Sequence, residues 1–221
     1  YFSIKNITQL ISTLKDNSNY LIQEFINGGM KSTCVTIFME SSYKPAAFLC
    51  HERIYEYPIS GGPSTQRKTV FNKYLIKQSI EILKFINWKG LASLEWKYCT
   101  NKKKYYLLEI NPRPGGSISL DESSNANIIL NYCKSFETYN KLQIPDQELC
   151  YYDLDVKSTW SIPGDFLRYL STNKKNRESI KEFLKAQIYS EEFILDDIMG
   201  FLGILITQLL QLLNPRIWRY L

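Results

Sequence analysis

The stretch 105–120, with the sequence YYLLEINPRPGGSISL, constrains the fold and chemistry of this chain more than any other. Residues 105–110 predict a β-strand that runs into Glu109, Asn111 and Arg113, spaced two apart, with a Gly-Gly-Ser turn after them. Because side chains alternate along a strand, Glu109 and Asn111 share one face. Two hard oxygen ligands side by side suit Mg²⁺, and the forked cation of Arg113 matches phosphate or carboxylate geometry.

A second carboxylate, Glu95, lies on the preceding strand-like run, residues 91–98. If the two runs pair as a hairpin, Glu95 and Glu109 face each other across it. A lone Glu on a strand usually marks only a solvated face, and Asn-Pro commonly opens a turn. The two carboxylates, the amide, the arginine and the double glycine arrive together, which favours a site for a nucleotide-bound metal.

With these residues in view, the chain resembles the ATP-grasp superfamily, whose metal-binding strand is similar to LEINPRPGGS. The resemblance runs from about residue 20 to residue 117. It includes LIQEFING at 21–28, which is similar to the family's adenine hinge, then Arg53 followed by YPISGGPST at 57–65, and WKGLASLEWK at 88–97. Among the branches, the predicted carboxylate-amine ligases of bacteria are the most similar.

The resemblance implies an α+β fold, an antiparallel sheet with flanking helices that forms the C-terminal ATP-grasp lobe. We expect this lobe at residues 1–140 and a mostly helical C-terminal extension at 141–221. The resemblance also implies ATP and Mg²⁺, or Mn²⁺, as cofactors. It assigns adenine binding to the hinge residues Gln23, Glu24, Phe25 and Ile26. It assigns metal binding to Glu95, Glu109 and Asn111. Contacts to the phosphoryl group or the acyl phosphate are assigned to Arg113 and Arg53.

The reaction implied is activation of a small-molecule carboxylate as an acyl phosphate, followed by attack of an amine to give an amide. Biotin-dependent carboxylases of the same superfamily place a catalytic Glu where Ser117 stands here, which argues against bicarbonate activation. In the ATP-grasp superfamily a Glu at about the position of Met30 or Lys31 often holds the ribose hydroxyls, and this chain has no acidic residue there.

The resemblance begins near the junction between two lobes, so we expect the first lobe, with its phosphate-binding Lys, to be missing. The chain would then work with that lobe or with a second copy. Two functions stay open: a ligase that is complete only with its first lobe, and a degenerate nucleotide-binding or scaffolding module without activity.

Composition excludes several other classes. The net charge is +5, and the one basic run, Lys102–Lys104, is typical of a hairpin turn, so we expect no nucleic-acid partner. The five cysteines form no C-x-x-C pair, and there is no secretion signal, which predicts reduced thiols in the cytoplasm. The single His51 cannot build a zinc site with them at normal ligand spacing.

Periodicity predicts the remaining elements. Strands are expected at 20–26, 32–39, 45–55 and 151–160, the second and third as a hairpin. Helices are expected at 6–14, 66–87, 123–136, 164–170 and 176–189, and the apolar stripe of 66–87 consists of Val70, Tyr74, Ile80 and Leu83.

Residues 198–213 are almost wholly apolar and fall short of the roughly 20 residues that span a bilayer. Asn214-Pro215 ends the run, and Arg216, Trp218 and Arg219 follow it. One interpretation is a helix that docks on the missing lobe or on a partner. The other is peripheral membrane contact through 198–220, because basic and aromatic residues beside an apolar helix favour a position at the level of the lipid headgroups.

Overall fold

A computed structural model describes residues 23–28, 32–58, 61–137, 150–173, 175–191 and 197–212. Its centre is a six-stranded antiparallel sheet in the order β5-β4-β1-β2-β3-β6. The strands are β1 (Ser32–Met39), β2 (Pro45–Glu56), β3 (Ser64–Thr69), β4 (Gly90–Cys99), β5 (Lys104–Asn111) and β6 (Lys157–Thr159). The helices are α1 (Lys73–Phe85), α2 (Ile118–Ser123), α3 (Ile128–Glu137), α4 (Phe166–Ser171), α5 (Ile180–Ala186) and α6 (Ile198–Leu212). The predicted α+β class, with an antiparallel sheet and flanking helices, is confirmed.

One face of the sheet is apolar; the other is polar along the cleft and apolar near α3, where Phe38 packs against Tyr132. Val35 on β1 and Leu94 on β4 are fully buried in the core, which α1 supplements with Leu75, Ile76, Ile80 and Leu83. Trp96 joins the same layer, and its indole N–H donates to Ser79 Oγ on α1 at 2.9 Å. The residues between them, including Cys34, Ser93 and Glu95, line a cleft on the opposite face.

Two tyrosine hydroxyls form hydrogen bonds with backbone groups of β2 at residues that do not pair with β3. The Tyr151 hydroxyl bonds both the N–H and the C=O of Phe48. The Tyr152 hydroxyl accepts from the Cys50 N–H at 3.2 Å and donates to the Val70 carbonyl at 2.7 Å. Burial raises the pKa of both phenols. The chain leading to β6 is thereby fixed to the core.

The helix predicted at 66–87 is wrong over its first turns, where β3 runs instead. Asn72 begins α1, since its side chain accepts from the Leu75 N–H at 3.1 Å. Ile80 and Leu83 lie on the buried stripe as predicted, whereas Tyr74 is 61% exposed and Val70 precedes the helix. Strand pairing on both sides of β3, with β2 and β6, outweighs the helical pattern here.

The helix predicted at 123–136 is also wrong at its start, because residues 124–127 separate α2 from α3. Asn125 and Asn127 have positive φ there, and the Asp121 carboxylate accepts from the backbone N–H groups of Ile128 and Ile129. A side-chain acceptor at the N-terminus of α3 thus begins a new helix.

Other boundaries shift by shorter distances. The strand predicted at 151–160 is limited to β6, and α5 starts at Ile180 with a capping box formed by Ser179 and Glu182. Residues 23–26 carry no strand, so that part of the strand predicted at 20–26 is wrong. The helix predicted at 6–14 lies outside the described residues. The predicted hairpins β1-β2 and β4-β5 are confirmed.

A buried carboxylate ties the C-terminal segment to β3. Asp165, at 0% exposure, accepts from Thr65 Oγ1 at 3.1 Å, Gln66 Nε2 at 2.9 Å and Gln187 Nε2 at 3.0 Å. Arg168 donates its Nε to the same carboxylate at 2.7 Å. The domain boundary at 140/141 stays a prediction, although residues on both sides of it pack on one sheet.

The predicted apolar helix near the C-terminus is confirmed as α6, while residues 213–220, with their basic and aromatic side chains, lie outside the described residues. Met199 and Leu210 are 77% and 62% exposed. In the described part of the chain, no helix has both the length and the apolar character needed to cross a bilayer. Docking and peripheral membrane contact both stay predictions for this segment.

Candidate functional site

The polar face of the sheet forms the floor of a cleft of about 760 Å³. Segment 23–28 borders the cleft together with the loops at 61–64 and 113–117. Every predicted site residue lines it: Gln23, Glu24, Phe25, Ile26, Arg53, Glu95, Glu109, Asn111 and Arg113. The structure therefore brings together residues that are far apart in the sequence, and their roles stay predictions.

Glu95 and Glu109 occupy directly opposite positions on β4 and β5, as the sequence predicted. Asn111 lies two residues further along β5, opposite Ser93, and its amide Nδ2 donates to Glu109 Oε1 at 2.7 Å. Two carboxylates and an amide thus lie on one wall of the cleft, which we call the carboxylate wall (Glu95, Glu109, Asn111).

The carboxylate wall fits a hard divalent cation. Glu95 accepts from Ser32 Oγ at 2.9 Å and from Arg53 Nη2 at 2.8 Å, and both contacts fall on Oε1. Oxygen donors from Asp, Glu and Asn side chains are the ligands that Mg²⁺ takes, with water or phosphate oxygens completing the shell. Within the described ranges no cluster of three His, Cys, Asp or Glu side chains could hold a metal, so the amide is needed to complete this set.

The two predicted arginines differ in setting. Arg53 is largely buried, with ion pairs to Glu56 at 2.6 Å and Glu95 at 2.8 Å, and it also donates to the Gly62 carbonyl at 3.0 Å. Arg113 is exposed and donates to the carbonyl of Pro114 at 3.0 Å. Arg53 is thus held by three partners at the floor of the cleft, whereas Arg113 lies at its exposed border.

The segment 23–28 lies against the turn between β4 and β5. The backbone carbonyl of Asn27 accepts from the Thr100 N–H at 3.1 Å, and the Glu24 carboxylate pairs with the Lys102 ammonium at 3.2 Å on the surface. A Cβ on Gly28 would come within 1.9 Å of the Tyr98 carbonyl oxygen, so only glycine permits this approach. The Phe25 side chain is 60% exposed and lines the border of the cleft.

Sequence reasoning missed His51 and Arg67, which also line the cleft. His51 is 6% exposed, and its Nδ1 is buried without a hydrogen-bond partner within the described ranges. Burial, with a smaller effect of Arg67 and Arg53, lowers the pKa of His51 to about 3, so the imidazole is neutral at pH 7. His51 lies opposite Cys34, which in turn lies opposite Glu95, so the strand order β4-β1-β2 brings it to the cleft.

Arg67 was missed because its segment was taken for a helix. Its guanidinium, whose side chain is 6% exposed, donates to the carbonyls of Ser64 and Gly116 and pairs with Glu191 at 3.4 Å. The two carbonyls belong to the two loops that border the cleft. Arg67 therefore links these loops to each other and to the C-terminal segment.

Comparisons with known proteins found similarity only among solved structures: no family model and no curated protein matches the chain. It is similar to a biotin carboxylase from Campylobacter jejuni in a β,γ-ATP complex, with 16% identity and a TM-score of 0.47 over 61% of this chain and 30% of that one. It is also similar to the biotin carboxylase domain of a Hydrogenobacter thermophilus 2-oxoglutarate carboxylase, complexed with MgADP, ADP and bicarbonate, with 8% identity and a TM-score of 0.48 over 61% of this chain and 30% of that one. For a pyruvate carboxylase from Rhizobium etli, the identity is 12% and the TM-score 0.47 over 62% of this chain and 13% of that one.

The chain thus spans 30% of the length of these biotin carboxylases. The ATP-grasp resemblance stays a prediction, because identities of 8–16% with TM-scores below 0.5 assign neither a family nor a residue role to the chain.

Proposed function

We propose that this chain forms the metal- and nucleotide-binding part of an ATP-dependent carboxylate-amine ligase. The observation that carries the proposal is the carboxylate wall, where Glu95 and Glu109 lie directly opposite each other with Asn111 beside them. Glu95, Glu109 and Asn111 would hold Mg²⁺, or Mn²⁺, which would neutralise charge on the nucleotide phosphates; phosphoryl transfer depends mostly on positioning and charge neutralisation.

Each border of the cleft has a proposed task. Segment 23–28 offers backbone groups and the Phe25 ring to the adenine. Arg53, fixed by Glu56 and the Gly62 carbonyl, orients an anionic group at the floor of the cleft. Arg113 swings from the surface to the transferred phosphoryl group, whose charge it stabilises.

The bound Mg²⁺ supplies charge neutralisation at the phosphates. The residues of the chain hold the acyl acceptor and exclude water, so that an amine rather than water attacks the activated carboxylate. A further protein surface, from the same protein or from a second copy, is expected to close over the nucleotide. The acid and the amine belong to the proposal only as chemical classes.

A binding module without turnover is the second candidate, and one observation favours it. Glu95 is already neutralised by Arg53, and a metal ligand with a fixed cation beside it binds Mg²⁺ less tightly. A protein of this kind would bind nucleotide and change shape with it, but it would not transfer the phosphoryl group.

Hydroxylamine trapping separates the two candidates, because an acyl phosphate reacts with hydroxylamine to give a hydroxamate that iron(III) colours. The chain, together with the further protein surface that is expected to close over the nucleotide, is incubated with ATP, Mg²⁺, hydroxylamine and pools of carboxylic acids, and hydroxamate and ADP are measured. A ligase gives both in equal amounts with the matching pool, and Glu109→Gln gives neither. Nucleotide binding by calorimetry without hydroxamate from any pool supports the binding module, and no binding of Mg²⁺-ATP contradicts both.

A further inference from the structure

Lys97 contributes a positive charge to the lining of the cleft. It lies on β4 two residues after Glu95, so both side chains share one face of the strand, and it is half-buried. Glu95 accepts from Arg53, and Glu24 pairs with Lys102. Lys97 itself forms neither an ion pair nor a hydrogen bond with the residues that the structure describes. A cation partly withdrawn from water gains most from an anion, which a ligand of the cleft can supply.

The position of Lys97 along the cleft lies between segment 23–28 and the carboxylate wall. On the side of segment 23–28, a Cβ built on Gly28 would lie 3.7 Å from the Lys97 Cε. On the other side, two residues of strand, about 7 Å, separate Lys97 from Glu95. The loop at 113–117 follows β5 at the far end of the wall. The cleft is thus ordered from segment 23–28 through Lys97 and the carboxylate wall to this loop.

We propose that Lys97 binds the α-phosphate of the nucleotide; this inference rests on the proposed function. A nucleotide with its base at segment 23–28 and its terminal phosphates at the carboxylate wall has its first phosphate between them, where Lys97 lies. The metal ion at the wall serves the terminal phosphates, so the α-phosphate needs a cation of its own. An ammonium on a flexible four-carbon stem suits a single phosphate oxygen. Lys97 thereby supplies from the sheet a phosphate contact that the sequence predicted only for the first lobe.

The test compares adenosine with AMP, which differ only in the α-phosphate. Both are titrated into the full chain without metal ion, and binding is followed by ligand-observed NMR, which detects millimolar affinities. We expect Lys97→Met, which keeps most of the stem and removes the charge, to bind AMP on the order of tenfold more weakly than the wild type, because hydrogen bonds to charged groups contribute at this level. Adenosine affinity should be unchanged. Lys97→Arg should bind AMP nearly as well as the wild type, and Lys77→Met on the exposed side of α1 serves as the matched control.

The outcomes separate a phosphate contact from other roles of the side chain. Equal weakening of adenosine and AMP by Lys97→Met places the contact at the base or ribose and overturns the inference. Unchanged AMP binding by this variant, or equal losses in Lys97→Arg and Lys97→Met, also overturns it. If Lys97→Met does not fold, the salt dependence of the wild type decides, because a preference for AMP over adenosine that added salt does not reduce contradicts a charge contact. Wild-type protein that binds neither ligand contradicts the proposed function itself, whereas normal AMP binding by Lys97→Met contradicts only the role of Lys97.

Discussion

Acidification should destabilise this protein through His51, the single histidine of the chain. Burial lowers the pKa of His51 from its ordinary 6.5 to about 3 in the folded state. The unfolded chain therefore binds a proton at pH values where the folded protein does not. The stabilisation from a neutral His51 is complete above pH 6.5 and is lost as the pH falls toward 3.

The size of the effect follows from the two pKa values. At pH 5 the unfolded histidine is almost fully protonated and the folded one is not, which lowers the free energy of unfolding by about 2 kcal/mol relative to pH 8. The assay is urea unfolding at pH 8 and pH 5 for the wild type and for His51→Gln, whose side chain does not titrate. We expect the wild type to lose about 2 kcal/mol more than the variant between the two pH values.

Labelled histidine gives a direct check, since one residue yields one imidazole signal in an NMR titration. A midpoint near 6.5 in the folded protein, or equal losses of stability in the wild type and in His51→Gln, would refute the reasoning. Either result would mean that water or a polar partner reaches the buried Nδ1.

Three further predictions concern single side chains. Glu109→Gln should lower Mg²⁺-ATP turnover on the order of 10³-fold, because one anionic ligand is lost, while the thermal midpoint stays unchanged since Glu109 is exposed; turnover near the wild-type rate contradicts the metal assignment. Asp165→Asn should cost about 2–3 kcal/mol in urea unfolding, because Arg168 keeps only Glu178 as a charged partner, against less than about 1 kcal/mol for the exposed Asp155→Asn; similar losses in both would exclude a special role for Asp165. Gly28→Ala should weaken nucleotide binding in calorimetry, because its methyl group would displace segment 23–28 from Tyr98, whereas Gly203→Ala on α6 meets nothing within 4 Å and should have no effect; equal affinities would show that the segment does not depend on this contact.

The sequence was most informative where one pattern dominated. The strand pair β4-β5 was predicted as a hairpin in which Glu95 and Glu109 can face each other. Their pairing depends on a β-bulge between Glu95 and Trp96, since the register near the turn would place Glu95 opposite Leu108. Prediction failed at β3, whose Gln66 and Arg67 have good helix propensity. Their strand conformation depends on β6 and on Asp165, which lies far along the chain, and local pattern contains no trace of such partners.

The same argument explains the site residues that were missed. Arg67 enters the cleft only because β3 is a strand, so one wrong element removed one residue from the predicted site. His51 was considered as a zinc ligand and was set aside because no cysteine lies at normal ligand spacing from it. Its position opposite Cys34, itself opposite Glu95, depends on the order β4-β1-β2, which the sequence did not predict.

The two-sided character of the sheet has a consequence for engineering. Residues that face the core and residues that face the cleft alternate along β1 and β4, so each set can be varied while the other is kept. A combinatorial library at Ser32, Cys34, Ser93 and Lys97 would vary the lining of the cleft, because all four lie on it. The apolar neighbours that hold the strands together, Val35 and Leu94 among them, would stay untouched. Ser32 and Ser93 are themselves buried, at 4% and 2% exposure, so replacements of similar volume are the ones this scaffold would tolerate best.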